Sequence, residues 1–180
     1  MIHMYSGDGK GKTSIAIGMA VRMAGAGKEV LFTQFMKGNE SSEIRILESI
    51  PGVKVLKVKN NYGFFGHMSD EDKLEITEKH NEILEEVLRT VRHFSRIDPE
   101  GNGPELLIVL DEITYPCRCD LVDEEILRTI LEETPETVEL VMTGRNPKEF
   151  MVKHSDYWSD LEMRKHPYEK NIVARYGVEF

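Results

Sequence analysis

An α/β domain, with a mostly parallel sheet between two layers of helices, is the fold class predicted by this 180-residue sequence. Three observations predict it. Short apolar runs alternate along the chain with segments of helical periodicity. Two of those runs, residues 106–110 and 138–142, are continuously apolar, as parallel strands buried on both faces require. The first run, residues 1–5, meets a glycine-rich turn and then a helix-forming segment, the order of a strand–turn–helix unit.

Taken in order, the first helix runs over residues 12–24 and stops at Gly25-Ala26-Gly27. Residues 29–35 read as a strand around Val30, Leu31 and Phe32, and a polar loop spans 37–42. A short helix over 43–50 is stopped by Pro51-Gly52. Residues 53–58 alternate apolar side chains with lysine, which predicts a third strand near a sheet edge. Residues 60–68 break the pattern: Tyr62, Phe64 and Phe65 lie among Gly63 and Gly66 with neither period. Such a loop either tucks its phenylalanines into the core or presents them to a ligand. Ser69 caps a long helix to Phe94, whose buried stripe is Ile76, Ile83, Leu84, Val87, Leu88, Val91 and Phe94. His80 falls on that stripe and reads as a packed histidine, and the charged opposite face reads as solvated.

Residues 98–104 form a turn-rich connector, too short to be an interdomain linker. The strand at 106–110 ends in Asp111-Glu112, a helix follows over 123–133, and the strand at 138–142 ends in Thr143-Gly144-Arg145. A short helix at 147–152 and strand-like pieces at 157–163 and 172–176 close the chain. With no repeat and no low-complexity tract, residues 1–180 read as a single domain.

The formal net charge is -9, so the surface as a whole repels nucleic acid and anionic membranes, and an anionic ligand needs a local pocket. No apolar run approaches the ~20 residues of a membrane span, and the N-terminus reads as a strand rather than a signal peptide. Cys117 and Cys119 are the only cysteines, and their spacing suits neither a zinc pair nor a C-x-x-C redox motif. Reduced structural thiols of a cytoplasmic protein are expected.

The chemistry gathers at strand ends, where open parallel sheets hold their ligands. Gly7, Asp8, Gly9, Lys10, Gly11, Lys12, Thr13 and Ser14 have the layout of a phosphate-binding loop. Its glycines let backbone N–H groups turn inward, and the helix start adds donors and partial positive charge. Lys12 is placed to reach the terminal phosphates and Thr13 to offer its hydroxyl to Mg²⁺. The usual pattern has glycine where this chain has Ser6. Asp111 and Glu112, at the end of a buried strand, are metal candidates opposite Thr13, directly or through water. Arg145 is placed to stabilise a polyphosphate leaving group. These elements predict a nucleoside triphosphate with Mg²⁺ but leave the reaction open, since kinases, ATPases and non-catalytic nucleotide switches share them.

A longer series narrows the reading. Residues 6–13 (SGDGKGKT), 34–38 (QFMKG), 110–115 (LDEITY), 143–145 (TGR), 163–168 (MRKHPY) and 173–180 (VARYGVEF) occur in this order. Together they resemble the P-loop type of ATP:corrinoid adenosyltransferase over nearly the whole chain. That resemblance implies a RecA-like fold, a homodimer, and a cytoplasmic role in cobalamin biosynthesis or salvage. It implies that a reduced Co(I) corrinoid attacks the 5′ carbon of ATP and expels triphosphate, with Lys12, the loop and Mg²⁺ on Thr13 and Glu112 holding the leaving group. It also implies a reduced flavoprotein as a transient electron donor. Family members commonly carry an N-terminal segment over the active site; this sequence opens on the first strand, so a site that is either more open or covered differently is expected. Where the family often has Gly-Phe-Thr-Trp, this chain has Gly63-Phe64-Phe65-Gly66. Phe64 matches and the tryptophan does not, and the resemblance implies Phe64 and Phe65 as corrinoid contacts, with Phe65 in place of the tryptophan.

Overall fold

The protein is described by a computed structural model that covers residues 1–36, 42–58, 60, 62–63, 65–96, 103–165, 167, 175 and 177–178. Among these residues the strands are β1 (Ile2–Ser6), β2 (Glu29–Gln34), β3 (Val53–Lys57), β4 (Leu106–Asp111), β5 (Val138–Thr143) and β6 (Tyr157–Asp160). The helices are α1 (Lys12–Gly25), α2 (Ser42–Leu47), α3 (Asp70–Phe94), α4 (Thr114–Arg118), α5 (Glu124–Glu133) and α6 (Glu149–Lys153). The strands form one sheet in the order β3-β2-β4-β5-β1-β6, and each pairing is parallel. The expected edge position of the third strand is found, and the sheet is wholly parallel among the described residues.

Alternation along β4 shows why this strand is apolar throughout. Leu106, Ile108 and Leu110 enter one core with α3, α5 and α6, through Leu84, Val87, Leu127, Ile130 and Phe150. Leu107 and Val109 enter the other, against Ala16 and Ala20 of α1 and Ile44 of α2. The alanines let α1 lie close to the strands. Each face of β4 is therefore covered by a helical layer, the three-layer arrangement that the alternation of elements predicts. Ser69 caps α3 as expected, in a capping box: the Asp72 N–H donates to Ser69 Oγ, and the Ser69 N–H donates to the Asp72 carboxylate. No helix among the described residues is long and apolar enough to cross a membrane.

Helix α4 is a departure from the sequence reading. Its five residues include Pro116 and are too few to show a period, but they start directly after the strand-end acids. Among the described residues of the loop at 60–68, Phe65–His67 form a 3-10 turn, and Phe65 packs against the cluster of Met68, Ile76 and Leu121. Phe64, the connector at 98–102 and the strand-like piece at 172–176 apart from Arg175 lie outside the described residues. Cys117 is buried, which pushes its thiol up to about 11 and leaves it unreactive at neutral pH.

His80 is packed, as its place on the stripe predicts. It is fully buried beside the Phe35 ring, with Nδ1 2.9 Å from the Leu121 carbonyl oxygen. A carbonyl only accepts, so Nδ1 carries the proton, and Nε2 meets no partner among the described residues. Burial lowers the imidazole pKa from 6.5 to about 4, against a smaller opposing effect of the Leu121 bond. Below pH ~6.5 the unfolded chain takes up a proton that the folded chain refuses. This residue therefore leaves stability untouched above that pH and removes up to about 3 kcal/mol as the pH falls to 4. His80→Gln, which keeps a donor for Leu121, is expected to flatten the decline of the urea midpoint over that interval. Parallel wild-type and variant curves would refute the assignment.

Candidate nucleotide site

The carboxyl ends of β2, β4, β5 and β1 lie side by side because the strands are parallel and in step. Gln34 stands opposite Asp111, Leu110 opposite Met142, and Tyr5 opposite Thr143. The loop after β1 and the acids after β4 are thus separated by one strand, β5, whose last residue is Thr143. A cavity of about 910 Å³ opens above this row. Its floor is the loop from Asp8 to Ser14, and Glu112, Tyr115, Arg118 and Arg145 stand in its walls. Ile17 and Ile46 add apolar surface.

Within the loop, Lys12 is buried and its ammonium donates to the Gly7 and Gly9 carbonyls at 2.6 and 2.8 Å. Burial lowers its pKa below 10.5, Glu112 works in the opposite direction and Arg145 adds to the lowering. Gly11 has φ 118°, which turns the chain into the first turn of α1. Gly7 has φ 101°, and a Cβ there would run into the Leu161 carbonyl oxygen of the segment after β6. The same segment takes up one loop donor: the Gly9 N–H donates to Leu161 O at 2.7 Å and is turned away from the inward set that the sequence predicts.

The serine at the unusual loop position is explained. Ser6 is the last residue of β1 and is buried. It accepts a hydrogen bond from Trp158 Nε1 at 2.8 Å and donates to Asp160 at 2.5 Å. The chain is still extended there, so no left-handed backbone calls for glycine, and the side chain ties the loop strand to β6.

The two acids occupy different places. Asp111 is fully buried. Its Oδ1 accepts from Thr13 Oγ1 at 3.0 Å and Thr143 Oγ1 at 2.7 Å, and its Oδ2 from Gln34 Nε2 at 3.2 Å. Glu112 is half-buried, lines the cavity, and has a left-handed backbone with φ 62°. Arg145 is exposed on the cavity wall, 3.6 Å from Asp8. Between Thr143 and Arg145, Gly144 has φ 144°, and a Cβ there would run into the Thr114 hydroxyl. Phe65 is not among the residues that line this cavity.

Sequence reasoning named the loop, both acids and Arg145; residues 8–14, Glu112 and Arg145 line one cavity, while Asp111 is buried and bonded to Thr13 of the loop. The same reasoning placed Gln34 and Thr143 at strand ends with suggestive chemistry but gave neither a role, which their bonds to Asp111 supply.

A glycine-rich loop after the first strand, one strand intervening before the acid-bearing strand, and a polar row across the strand ends define a RecA-like P-loop α/β fold. The fold is similar to that of the solved EssC (ATPases 2 and 3) from Geobacillus thermodenitrificans. That match has a TM-score of 0.52 at 11% identity over 98% of this chain and 34% of the other. The model of the ATP:corrinoid adenosyltransferase family BtuR/CobO/CobP matches residues 1–180, and the chain belongs to that family. It is 31% identical to a corrinoid adenosyltransferase of Sinorhizobium sp. over 183 residues, which covers all of this chain and 80% of the relative. It is 27% identical to the corrinoid adenosyltransferase of Escherichia coli K12, with 100% of this chain and 85% of the relative covered.

Gly144→Ala is expected to lower stability by about 1–3 kcal/mol, because a methyl group is forced against a buried neighbour. Urea denaturation measures this, and an unchanged midpoint would show that Thr114 gives way freely.

Proposed function

We propose that this chain transfers the 5′-deoxyadenosyl group of ATP to a corrinoid with cobalt in the Co(I) state, releasing triphosphate, in cobalamin biosynthesis or salvage. The observation that carries the reading is the Thr13–Asp111 hydrogen bond, which joins the phosphate loop and the acid-bearing strand into one site. Membership of the family supplies the reaction class.

The cobalt lone pair attacks C5′, the C5′–O bond breaks, and its electron pair leaves with the triphosphate. No proton has to move. The residues therefore serve to align C5′ and to hold the departing charge. Lys12 exchanges two neutral carbonyl partners, Gly7 and Gly9, for phosphate oxygens, which make stronger charge-assisted bonds. Arg145 adds a second cation from the cavity wall. Asp8, Lys10 and Ser14 complete the loop face on which the phosphates lie.

Magnesium fits the donors present: the Thr13 hydroxyl and the Glu112 carboxylate are hard oxygen ligands on one cavity. When bound, such an ion offsets charge on the phosphate chain. Thr13 gives its proton to Asp111, which leaves its oxygen lone pairs available, so Asp111 orients a ligand while Glu112 is one. On the corrinoid side the reading rests on Phe64 and Phe65. Phe65 is half-buried on Met68 and Ile76, at the start of α3. A homodimer, a reduced flavoprotein as electron donor and a cytoplasmic site of action belong to the same reading.

The test is an anaerobic incubation with ATP, Mg²⁺ and chemically reduced cob(I)alamin. Light-sensitive adenosylcobalamin and intact triphosphate are expected in equal amounts. ADP as product would make the chain a kinase or ATPase instead, and unchanged ATP would make it a nucleotide switch. In the same assay Lys12→Ala is expected to slow transfer about a hundredfold, roughly 3 kcal/mol of lost charge stabilisation. A wild-type rate in that variant would reduce the loop to a turn.

A further inference from the structure

We propose that Thr143 is a positioning residue that anchors both strand-end acids and thereby holds Glu112 toward the cavity. The inference rests on the reading of Glu112 as a metal-holding carboxylate and extends it to what keeps that carboxylate in place.

Asp111 and Glu112 are consecutive, yet one is fully buried and the other lines the cavity. The backbone makes this possible by turning left-handed at Glu112, with φ 62°. A side chain other than glycine stays in that region only where its surroundings hold it. The hold is visible: the Glu112 N–H donates to Thr143 Oγ1 at 2.8 Å. The same hydroxyl donates its proton to Asp111 Oδ1 at 2.7 Å. A hydroxyl has one proton to give and lone pairs to accept with, and Thr143 uses both functions on adjacent residues. Its proton is committed to Asp111, so the residue acts through the acids and not on a phosphate.

The placement follows from strand order. Thr143 ends β5, the strand between the loop strand and the acid strand, and it is fully buried. A residue there can reach Asp111 on one side while its backbone carries the chain to Gly144 and Arg145 on the other. Asp111 in turn accepts from Thr13 of the loop. One side chain thus links the backbone of the cavity-facing acid to the carboxylate that orients Thr13. Gln34 supports the Asp111 carboxylate from the opposite side, through its Nε2.

The experiment measures the Mg²⁺ concentration at half-maximal ATP binding by calorimetry, with no corrinoid present, in Thr143→Val, Thr143→Ser and Glu112→Gln. Thr143→Val keeps the shape and removes both hydrogen bonds. Its Mg²⁺ midpoint is expected to rise about tenfold or more, as for loss of an outer-shell partner of a metal ligand, with ATP binding retained at saturating Mg²⁺. Thr143→Ser is expected to restore the wild-type midpoint. If Glu112→Gln shifts the midpoint and Thr143→Val does not, the positioning role is overturned and the metal reading stands. If neither shifts it, the metal reading fails and the proposal with it. A serine variant as impaired as the valine variant, or ATP binding lost at every Mg²⁺ concentration in a folded Thr143→Val protein, would also overturn the proposal. Should Thr143→Val not fold, Thr143→Cys carries the same expectation, since a thiol is a weak donor and acceptor.

Discussion

A buried carboxyl group must find partners, and in this protein Asp111 finds them on three other segments. Taking a polar group out of water without hydrogen bonds costs several kcal/mol, so its surroundings are constrained. Thr13 comes from the start of α1, Gln34 from the end of β2 and Thr143 from the end of β5. Each lies within reach only because the strands are parallel and their ends are level. The phosphate loop, the cavity wall and the acid pair are consequently fixed relative to one another before any ligand arrives. That is the preorganisation on which electrostatic stabilisation of a leaving group depends.

The loop is constrained from its other side by β6. Ser6 holds Trp158 and Asp160, and the Leu161 carbonyl accepts from Gly9 while leaving no room for a side chain on Gly7. The glycines of the loop therefore answer to two demands: the left-handed backbone at Gly7 and Gly11, and the close approach of a neighbouring segment. The loop also folds around its own lysine, with Lys12 bonded to Gly7 and Gly9. Those contacts are to neutral oxygens, so they shape the loop without competing strongly with a phosphate.

Most of the architecture was legible in the chain because its causes are local. The strand at Leu106–Asp111 is apolar at five of its six positions, which in a short run has few readings other than a central strand. The stripe on α3 and its cap at Ser69 are matters of period and of the first turn alone. The short helix α4 was not legible, since five residues with a proline carry no period and depend on where β4 delivers them. The fate of Phe65 was equally obscure: alternation says nothing about a loop, and only the packing of Met68, Ile76 and Leu121 shows what it rests on.

The site divides in the same way. The sequence by itself determined the chemical groups: a lysine and a threonine at a helix start, two acids after a buried strand, an arginine after another. These follow from residue type and spacing along the backbone, which short-range physics governs. Only the tertiary structure decided that Asp111 bonds Thr13 while Glu112 lines the cavity, and that the Ser6 side chain bonds to β6. Those outcomes depend on strand order and register, and on the left-handed backbone at Glu112, which arise from packing between segments as many as 154 residues apart.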